Sequence, residues 1–166
     1  SDWELKKATH LDDMFSGALE FNQDLDKWKT SSFFYLNRMF KNAKKFNGNI
    51  STWNVKNVAY FEEMFMNAIN FNKDISKWEF QFYPISIDRM FKNAKRYNHD
   101  LSNIEINIQF TPQSVFEGTD NLDSSKYFKI KSHQKEKKNM LIISIIVFIV
   151  IIFLIYLFFK FIFGFF

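Results

Sequence analysis

The chain contains no cysteine. This absence excludes disulfide bonds, thiol catalysis and any zinc site built on thiolate ligands. Histidine is also scarce, because only His10, His99 and His133 are present and they occupy unrelated positions. No nucleophile elbow, phosphate-binding loop or His-Glu-x-x-His spacing occurs in the sequence. The sequence therefore predicts a protein that is not an enzyme, with no catalytic residues, no cofactor and no metal site.

A strong charge of one sign is missing from most of the chain, although the formal net charge is +4. From Lys126 onward, seven lysines accompany a single acid, Glu136, which gives +6. Residues 1–125 therefore carry 15 basic and 17 acidic side chains, or a net charge of −2. Domains that bind nucleic acids usually concentrate basic side chains on one face. The charge distribution thus predicts no nucleic-acid partner.

Internal repetition, by contrast, dominates the sequence. A Met-Phe pair recurs at intervals of 25, 25 and 26 residues, and a weaker Val-Phe copy follows 25 residues later. These pairs are Met14-Phe15, Met39-Phe40, Met64-Phe65, Met90-Phe91 and Val115-Phe116. A tryptophan precedes each of the first four pairs at Trp3, Trp28, Trp53 and Trp78. Self-similarity at a fixed period predicts stacked units in which neighbouring repeats supply the hydrophobic core.

The apolar positions within one repeat predict a short strand. Ile50, Trp53, Val55 and Val58 have the spacing L-x-x-L-x-L of the leucine-rich-repeat strand, with tryptophan in place of the middle leucine. The equivalent positions in the other repeats are Leu25/Trp28, Ile75/Trp78/Phe80 and Leu101/Ile104/Ile106. Each repeat is therefore expected to begin with one strand.

A helix of two to three turns is predicted after each strand. Apolar residues fall at helical spacing in the second half of the repeat. They are Val58, Phe61, Met64, Phe65 and Ala68 in one copy, and Leu11, Met14, Phe15 and Ala18 in another. The predicted fold class is an α/β repeat, a leucine-rich-repeat-like solenoid with one short strand and one short helix in each unit of about 25 residues.

Polar residues also follow the period. The asparagine after each aromatic residue suits a helix exit, or a ladder in which each side chain satisfies backbone groups of the next unit. Asn22-x-Asp24-x-Asp26 resembles the start of a calcium loop but lacks the later glycine and glutamate, so a structural ladder is the preferred interpretation. At another position Asp13, Arg38, Glu63 and Arg89 alternate in charge, which predicts ion pairs between neighbouring repeats.

Four segments are predicted along the chain. Residues 1–122 form the solenoid of about five repeats, with the first and last incomplete or degenerate, and 123–139 form a lysine-rich polar linker. Met140 to Phe159 has no charged side chain, and a helix of this length spans about 30 Å of hydrocarbon at about 1.5 Å per residue. We therefore expect a transmembrane helix at 140–159 with the lipid bilayer as its partner, followed by a short apolar tail at 160–166.

The residues alone do not decide on which side of the membrane this expected helix places the repeats. Six lysines precede the segment and only Lys160 follows it, which places the repeats in the cytoplasm as a tail-anchored scaffold. A leading signal sequence would override that count, because long domains translocate largely regardless of flanking lysines. Ser1-Asp2-Trp3 aligns with Ser51-Thr52-Trp53, so we expect further sequence upstream of this chain.

The unit M-F-x-x-A-x-x-F-N-x-D-[IL]-S-x-W-x-V-x-x-V resembles the repeat of BspA-like leucine-rich-repeat surface proteins, in the 25-residue form found in mycoplasma-type surface proteins. The resemblance covers residues 1 to about 122, and Phe71–Trp78 is its most regular copy. Thr30, the extra residue around Phe82-Tyr83-Pro84 and the fifth copy depart from the pattern. The resemblance implies that the repeats are displayed outside the cell, against the lysine count, and that they act in adhesion or host contact without catalysis. With the expected helix at 140–159, this predicts a single-pass protein of the cell membrane with extracellular repeats.

Any ligand is expected on the outward-facing positions of the predicted strands, which a leucine-rich-repeat arrangement would join into one concave face. By alternation these positions are Glu4, Lys6, Lys29, Ser31, Asn54, Lys56, Glu79, Gln81, Glu105 and Asn107. The mixture of charges is consistent with a protein or glycan partner and identifies neither. An ordinary solvated face without a ligand is the alternative.

Overall fold

The computed structural model divides the chain into two compact units, Ser1–Lys131 and Ser132–Phe166. It describes residues 5, 7–80, 86–106, 114–120, 122–130 and 142–151. In the first unit, strand β1 (Glu105–Ile106) pairs in parallel with strand β2 (Lys129–Ile130), and Ser124–Lys126 form a 3-10 turn. In the second unit, residues 142–151 are helical.

Consecutive repeats of the first unit are joined in register by backbone hydrogen bonds. The N–H groups of Leu11, Asp13, Phe15 and Gly17 donate to the carbonyls of Tyr35, Asn37, Met39 and Lys41 at 2.7 to 3.0 Å. The pattern continues along the chain, since Phe40 donates to Met64 at 2.9 Å and Phe65 donates to Met90 at 2.8 Å. Each repeat therefore lies directly against the next, about 25 residues further along.

Three N–H groups that directly follow Asp13, Phe15 and Gly17 in the sequence bond within their own repeat. Met14 donates to the carbonyl of Leu11 at 3.3 Å, Ser16 to that of Asp13 at 2.9 Å, and Ala18 to that of Phe15 at 3.1 Å. Alternate backbone donors therefore serve the same repeat and the following one. This segment is a series of successive turns, each closed by a hydrogen bond over three residues.

The prediction of a short helix in every repeat is therefore wrong. Asp13, Arg38, Glu63 and Arg89 have φ angles of 55° to 57°, in the left-handed region. A second set of positive-φ residues occurs four positions later at Gly17, Asn42, Asn67, Asn93 and Gly118. A left-handed residue at every fourth position interrupts a right-handed helix before one turn is complete. Turns of this kind bury residues three and four apart, which explains why their spacing resembles that of a helix.

The predicted strand is also wrong for the repeats that contain Trp28, Trp53 and Trp78, and at the predicted strand Leu101/Ile104/Ile106 only the two residues of β1 are extended. Trp53 donates its N–H to Ile50 at 3.2 Å and Val58 donates to Val55 at 2.9 Å, so this segment contains tight turns. Strand-type pairing between these repeats is limited, in the described residues, to isolated bridges at His10–Tyr35, Tyr35–Tyr60 and Tyr60–Ser86. Within the described residues, the strands are β1 and β2 alone. The α/β leucine-rich-repeat-like assignment is therefore replaced by a stack of turn-rich repeats.

Aromatic rings form the core in three columns that run across the repeats. Phe15, Phe40, Phe65, Phe91 and Phe116 stack with centroid separations of 5.5, 5.7, 5.4 and 5.3 Å. Phe21, Phe46, Phe71 and Tyr97 form the second column at 5.7 to 5.8 Å. Trp28, Trp53 and Trp78 form the third at 5.9 and 6.3 Å. Stacking of equivalent rings thus buries in each repeat what no repeat could bury alone.

Tyr97 departs from its column because it carries a hydroxyl where the preceding repeats have phenylalanine. That hydroxyl is buried and has no hydrogen-bond partner in the described part of the chain, and burial raises its pKa. We expect Tyr97→Phe to increase the free energy of unfolding by about 1 kcal/mol, because an unpaired polar group leaves the core. Chemical denaturation measures the change. The reverse substitution one repeat earlier, Phe71→Tyr, should lower stability, and a destabilised Tyr97→Phe would contradict this account.

The prediction of a transmembrane helix at Met140–Phe159 is wrong for the residues that the structure describes. None of their helices is both long and apolar enough to cross a membrane. The remaining residues of the predicted span lie outside the described part. The single-pass membrane localisation and the tail-anchored alternative, which both depended on this helix, are corrected with it.

Candidate functional site

The exposed residues beside the tryptophan column are held by a rigid buried support. The indole Nε1 of Trp53 donates to the carbonyl of Leu25 at 2.9 Å, and that of Trp78 donates to Ile50 at 3.2 Å. Each tryptophan is thus fixed to the preceding repeat by both stacking and a hydrogen bond. The side chains on either side of it in sequence are directed outward, where they form a surface with a defined position.

We call this surface the polar strip. It consists of Lys29, Ser31, Asn54, Lys56, Lys77 and Glu79. Within it, a pocket of about 230 Å³ is lined by Asn54, Lys56, Lys77 and Glu79, with Trp53 and Val55 also in its wall. Lys56 Nζ lies 2.7 Å from Glu79 Oε2, and both side chains are more than 60% exposed. The pocket therefore presents two ammonium groups, one carboxylate and one amide to solvent.

Thr30 fixes the backbone beneath the strip. Its hydroxyl is buried, donates to the carbonyl of Asn54 at 3.0 Å and accepts the N–H of Asn54 at 2.8 Å. The side chain of Asn54 accepts in turn from the N–H of Lys56 at 3.1 Å. Thr30, which departs from the valine of the repeat pattern, thus clamps one repeat onto the next.

Five of the ten residues predicted as outward-facing are exposed in the structure. They are Lys29, Ser31, Asn54, Lys56 and Glu79. Glu105 lies in β1, whereas Glu4, Lys6, Gln81 and Asn107 lie outside the described residues. Sequence reasoning missed Lys77, which lines the pocket from the position before Trp78. The sequence did carry a signal for this position, because a lysine, Lys27, also precedes Trp28 at the equivalent place.

The predicted asparagine ladder is confirmed. The side-chain oxygen of Asn22 accepts the N–H of Asn47 at 2.7 Å, that of Asn47 accepts from Asn72 at 2.9 Å, and that of Asn72 accepts from Asn98 at 3.2 Å. Asp24 accepts from the N–H of Asn49 at 2.7 Å in the same way. Two of the residues that resembled a calcium loop, Asn22 and Asp24, therefore bond to the backbone of the next repeat. Among the described residues, no group of three or more metal-ligating side chains occurs.

The predicted ion pairs between repeats are confirmed as well. Arg38 lies 2.7 Å from Asp13, and Arg89 lies 2.8 Å from Glu63. Glu63 also accepts a hydrogen bond from Lys41 Nζ at 2.6 Å. Burial acts to raise the pKa of Glu63, but Lys41 and Arg89 stabilise its charged form, so the pKa is lowered overall. This carboxylate joins three consecutive repeats.

The lowered pKa of Glu63 predicts acid-sensitive stability. Because the folded-state value lies below the ordinary value of 4.5, the contribution of Glu63 is complete above about pH 5 and is lost as the pH falls through the folded value. Glu63→Gln is expected to be less stable at neutral pH and to lose less stability between about pH 5 and pH 3. Denaturant titrations of both proteins across this range give the comparison. Parallel stability curves would show that Glu63 makes no such contribution.

Comparison with known protein families finds one that matches the repeats. A family model described as Mycoplasma protein of unknown function, DUF285, matches residues 1–104 and again residues 35–133. The chain belongs to this family. The DUF285 match includes the entire polar strip and all three aromatic columns. Searches of curated proteins and of solved structures gave no significant match.

DUF285 membership supports the prediction of a mycoplasma-type surface repeat protein. The match does not confirm the prediction that this is a BspA-like leucine-rich-repeat protein with a C-terminal anchor. The family description assigns no function. Function must therefore be argued from the exposed residues of the DUF285 repeats.

Proposed function

We propose that the protein is a non-catalytic binding module that mediates adhesion or contact with proteins of a host surface through the polar strip. The observation that carries this proposal is the pocket around Lys56, Lys77 and Glu79, which is supported from beneath by the stacked tryptophans. A fixed support limits the conformational entropy lost when a partner binds. The strip is therefore suited to recognition by pre-positioned side chains.

The chemistry of the strip favours a protein partner. Lys29, Lys56 and Lys77 provide positive charge, while Glu79 and Asn54 provide acceptors close to two of these lysines. A surface that offers both charge signs and an amide matches another protein surface, where complementary charges set orientation and specificity. A uniformly anionic partner would meet Glu79 with unfavourable repulsion.

The hydrogen bonds of the polar side chains support the proposal that the protein is not catalytic. Asn22, Asn47, Asn72, Asp24 and Thr30 bond to the backbone of the adjacent repeat, where they hold the stack together. A catalytic site needs a nucleophile or base directed towards a bound substrate. These side chains are instead committed to the fold.

Charge reversal across the strip tests the proposal. The triple variant Lys29→Glu, Lys56→Glu, Glu79→Lys inverts the pattern yet allows the ion pair between positions 56 and 79 to re-form, so it should fold normally. We expect fluorescently labelled protein to bind an epithelial cell layer saturably, and the triple variant to bind about tenfold more weakly. Protease treatment of the cell layer should remove the part of the binding that the triple variant lacks, because the partner of the polar strip is a protein.

A matched control separates this effect from a general change in charge. Lys7→Glu, Lys73→Glu, Asp88→Lys introduces the same number of reversals outside the strip and should bind like the natural sequence. Circular dichroism and thermal melting confirm that all three proteins are folded. Equal binding by the triple variant, or equal loss in the control, would remove the polar strip as the contact surface.

A further inference from the structure

A basic pentapeptide occurs in alternate repeats. Lys41-Asn42-Ala43-Lys44-Lys45 in the second repeat corresponds to Lys92-Asn93-Ala94-Lys95-Arg96 in the fourth. The same positions in the first and third repeats are Ser16-Gly17-Ala18-Leu19-Glu20 and Met66-Asn67-Ala68-Ile69-Asn70, without a cation. The turn that carries these residues is therefore basic, neutral and basic across three successive repeats.

Backbone hydrogen bonds align these turns with one another. The N–H of Lys45 donates to Leu19, that of Asn70 donates to Lys44, and that of Arg96 donates to Ile69, each at 3.2 Å. Backbones joined in this way lie about 4.8 Å apart. The basic groups of the second and fourth repeats are therefore separated by about 10 Å along the direction of stacking.

Four of these cations are exposed, and we call them the basic edge. They are Lys44, Lys45, Lys95 and Arg96. Lys41 and Lys92, by contrast, are largely covered and pair with Glu63 at 2.6 Å and with Glu117 at 2.9 Å. Lys45 pairs with Glu20, whose side chain is 77% exposed, and such surface pairs are weak. Lys44 and Arg96 form no ion pair with any residue that the structure describes.

We propose that the basic edge binds an acidic polysaccharide that carries one negative group on every second sugar. Such a chain presents its charges at wide, regular intervals, which suits cations grouped about 10 Å apart with neutral Ile69 and Asn70 between them. The repeat region is net negative, at 15 basic against 17 acidic side chains, so the edge is a local concentration of positive charge. Charge complementarity therefore selects an anionic partner for this surface.

Nucleic acid is the less suitable polyanion for this surface. Duplex DNA carries one charge per about 1.7 Å, and its tight binding depends on neutralising many phosphates at once. Single strands are usually held by bases stacked on exposed rings. In the first and third repeats the positions equivalent to these cations hold Leu19, Glu20, Ile69 and Asn70, none of which is aromatic. The basic edge also differs in residues and chemistry from the polar strip, so the two surfaces can be tested separately.

Binding of a hyaluronan octasaccharide to the full chain at low salt tests the proposal. We expect measurable binding that weakens as salt is added, since exposed charges are screened. Lys44→Glu, Lys95→Glu should reduce the affinity about tenfold or more, whereas the control Lys7→Glu, Lys27→Glu, with the same change in net charge, should stay within about twofold. Thermal melting confirms that both variants are folded.

Three results would overturn the assignment. One is a natural sequence that does not bind the octasaccharide at low salt. Another is a control variant that loses as much affinity as the edge variant. The third is tighter binding of a single-stranded oligonucleotide of equal charge, which would identify nucleic acid as the preferred polyanion. The strip variant at positions 29, 56 and 79 should bind the octasaccharide normally, whichever way the adhesion experiment turns out.

Discussion

Phe65→Ala is expected to lower the free energy of unfolding by about 3 to 5 kcal/mol, the range for removing a buried aromatic ring. Phe65 is fully buried, and its ring centroid lies 5.7 Å from Phe40, 5.4 Å from Phe91 and 3.9 Å from Phe71. The substitution therefore opens a cavity at the contact between three consecutive repeats. Equilibrium denaturation monitored by tryptophan fluorescence and by circular dichroism measures the loss.

The same substitution at Phe15 is the matched control. Phe15 is only partly buried and lies at the end of the column that the structure describes, with one column neighbour, Phe40, at 5.5 Å. Phe15→Ala should therefore cost clearly less than Phe65→Ala, because less apolar surface becomes exposed. Equal losses at both positions would mean that the column does not transmit stability between repeats.

Gly48→Ala is expected to be the most disruptive single-methyl change in the described residues. A Cβ atom at this position would lie 2.0 Å from the carbonyl oxygen of Gln23 and 2.9 Å from Cε2 of Phe46. Backbone of the preceding repeat cannot yield as a flexible side chain can, so adjacent repeats must separate locally. Overpacking of this kind typically costs about 1 to 3 kcal/mol, and contact with backbone places this case at the upper end. A thermal melt compared with the natural sequence measures the effect.

Gly17→Ala separates steric contact from backbone conformation. Gly17 has a φ of +72°, and a Cβ there would have no atom within 4 Å. Its substitution should cost only the strain of a left-handed alanine, about 1 to 2 kcal/mol. If Gly48→Ala melted at a higher temperature than Gly17→Ala, the close approach of Gln23 and Gly48 would not limit the packing of the repeats.

The period and the inward-facing residues could be predicted from the sequence. The same apolar residue type recurs at the buried positions of successive repeats. Met39, Phe40, Ala43 and Phe46 recur in register, and all are fully buried. The ladder of Asn22, Asn47, Asn72 and Asn98 could be predicted for the same reason, since the same backbone donor needs an acceptor in each of these repeats. The identity of the secondary structure did not follow from this pattern.

Spacing failed to distinguish a helix from successive turns because both bury residues three and four apart. The deciding property is the sign of φ, and Arg38, Glu63 and Arg89 give no hint of a left-handed conformation from their residue type. The neighbouring column did carry a signal. Gly17, Asn42, Asn67, Asn93 and Gly118 occupy one position of five repeats, and glycine and asparagine are the residues most tolerant of positive φ.

The candidate site was predictable only in its general position. Alternation around Trp53 correctly placed Asn54 and Lys56 outside, because a buried indole fixes which side of the chain faces solvent. Lys77 was missed because the turn at Ile75–Trp78, closed by a hydrogen bond of 2.9 Å, brings the residue before the tryptophan onto the same surface. That turn exists through backbone geometry, which the alternation of residue types does not encode.

The alternating backbone donors have a consequence for the gene. Because the described junctions between repeats use equivalent donors and acceptors in the segment of successive turns, a duplicated or deleted stretch of DNA that encodes one whole repeat would leave these contacts intact. An insertion of one codon within the segment of successive turns would instead exchange the donors that serve the next repeat for those that close its own turns. The extra residue around Phe82-Tyr83-Pro84 lies outside that segment in the sequence, and the hydrogen bond from Phe65 to Met90 is kept. Variation in this protein should therefore accumulate as changes in copy number and as substitutions at exposed positions, which would alter the binding surface while preserving the stack.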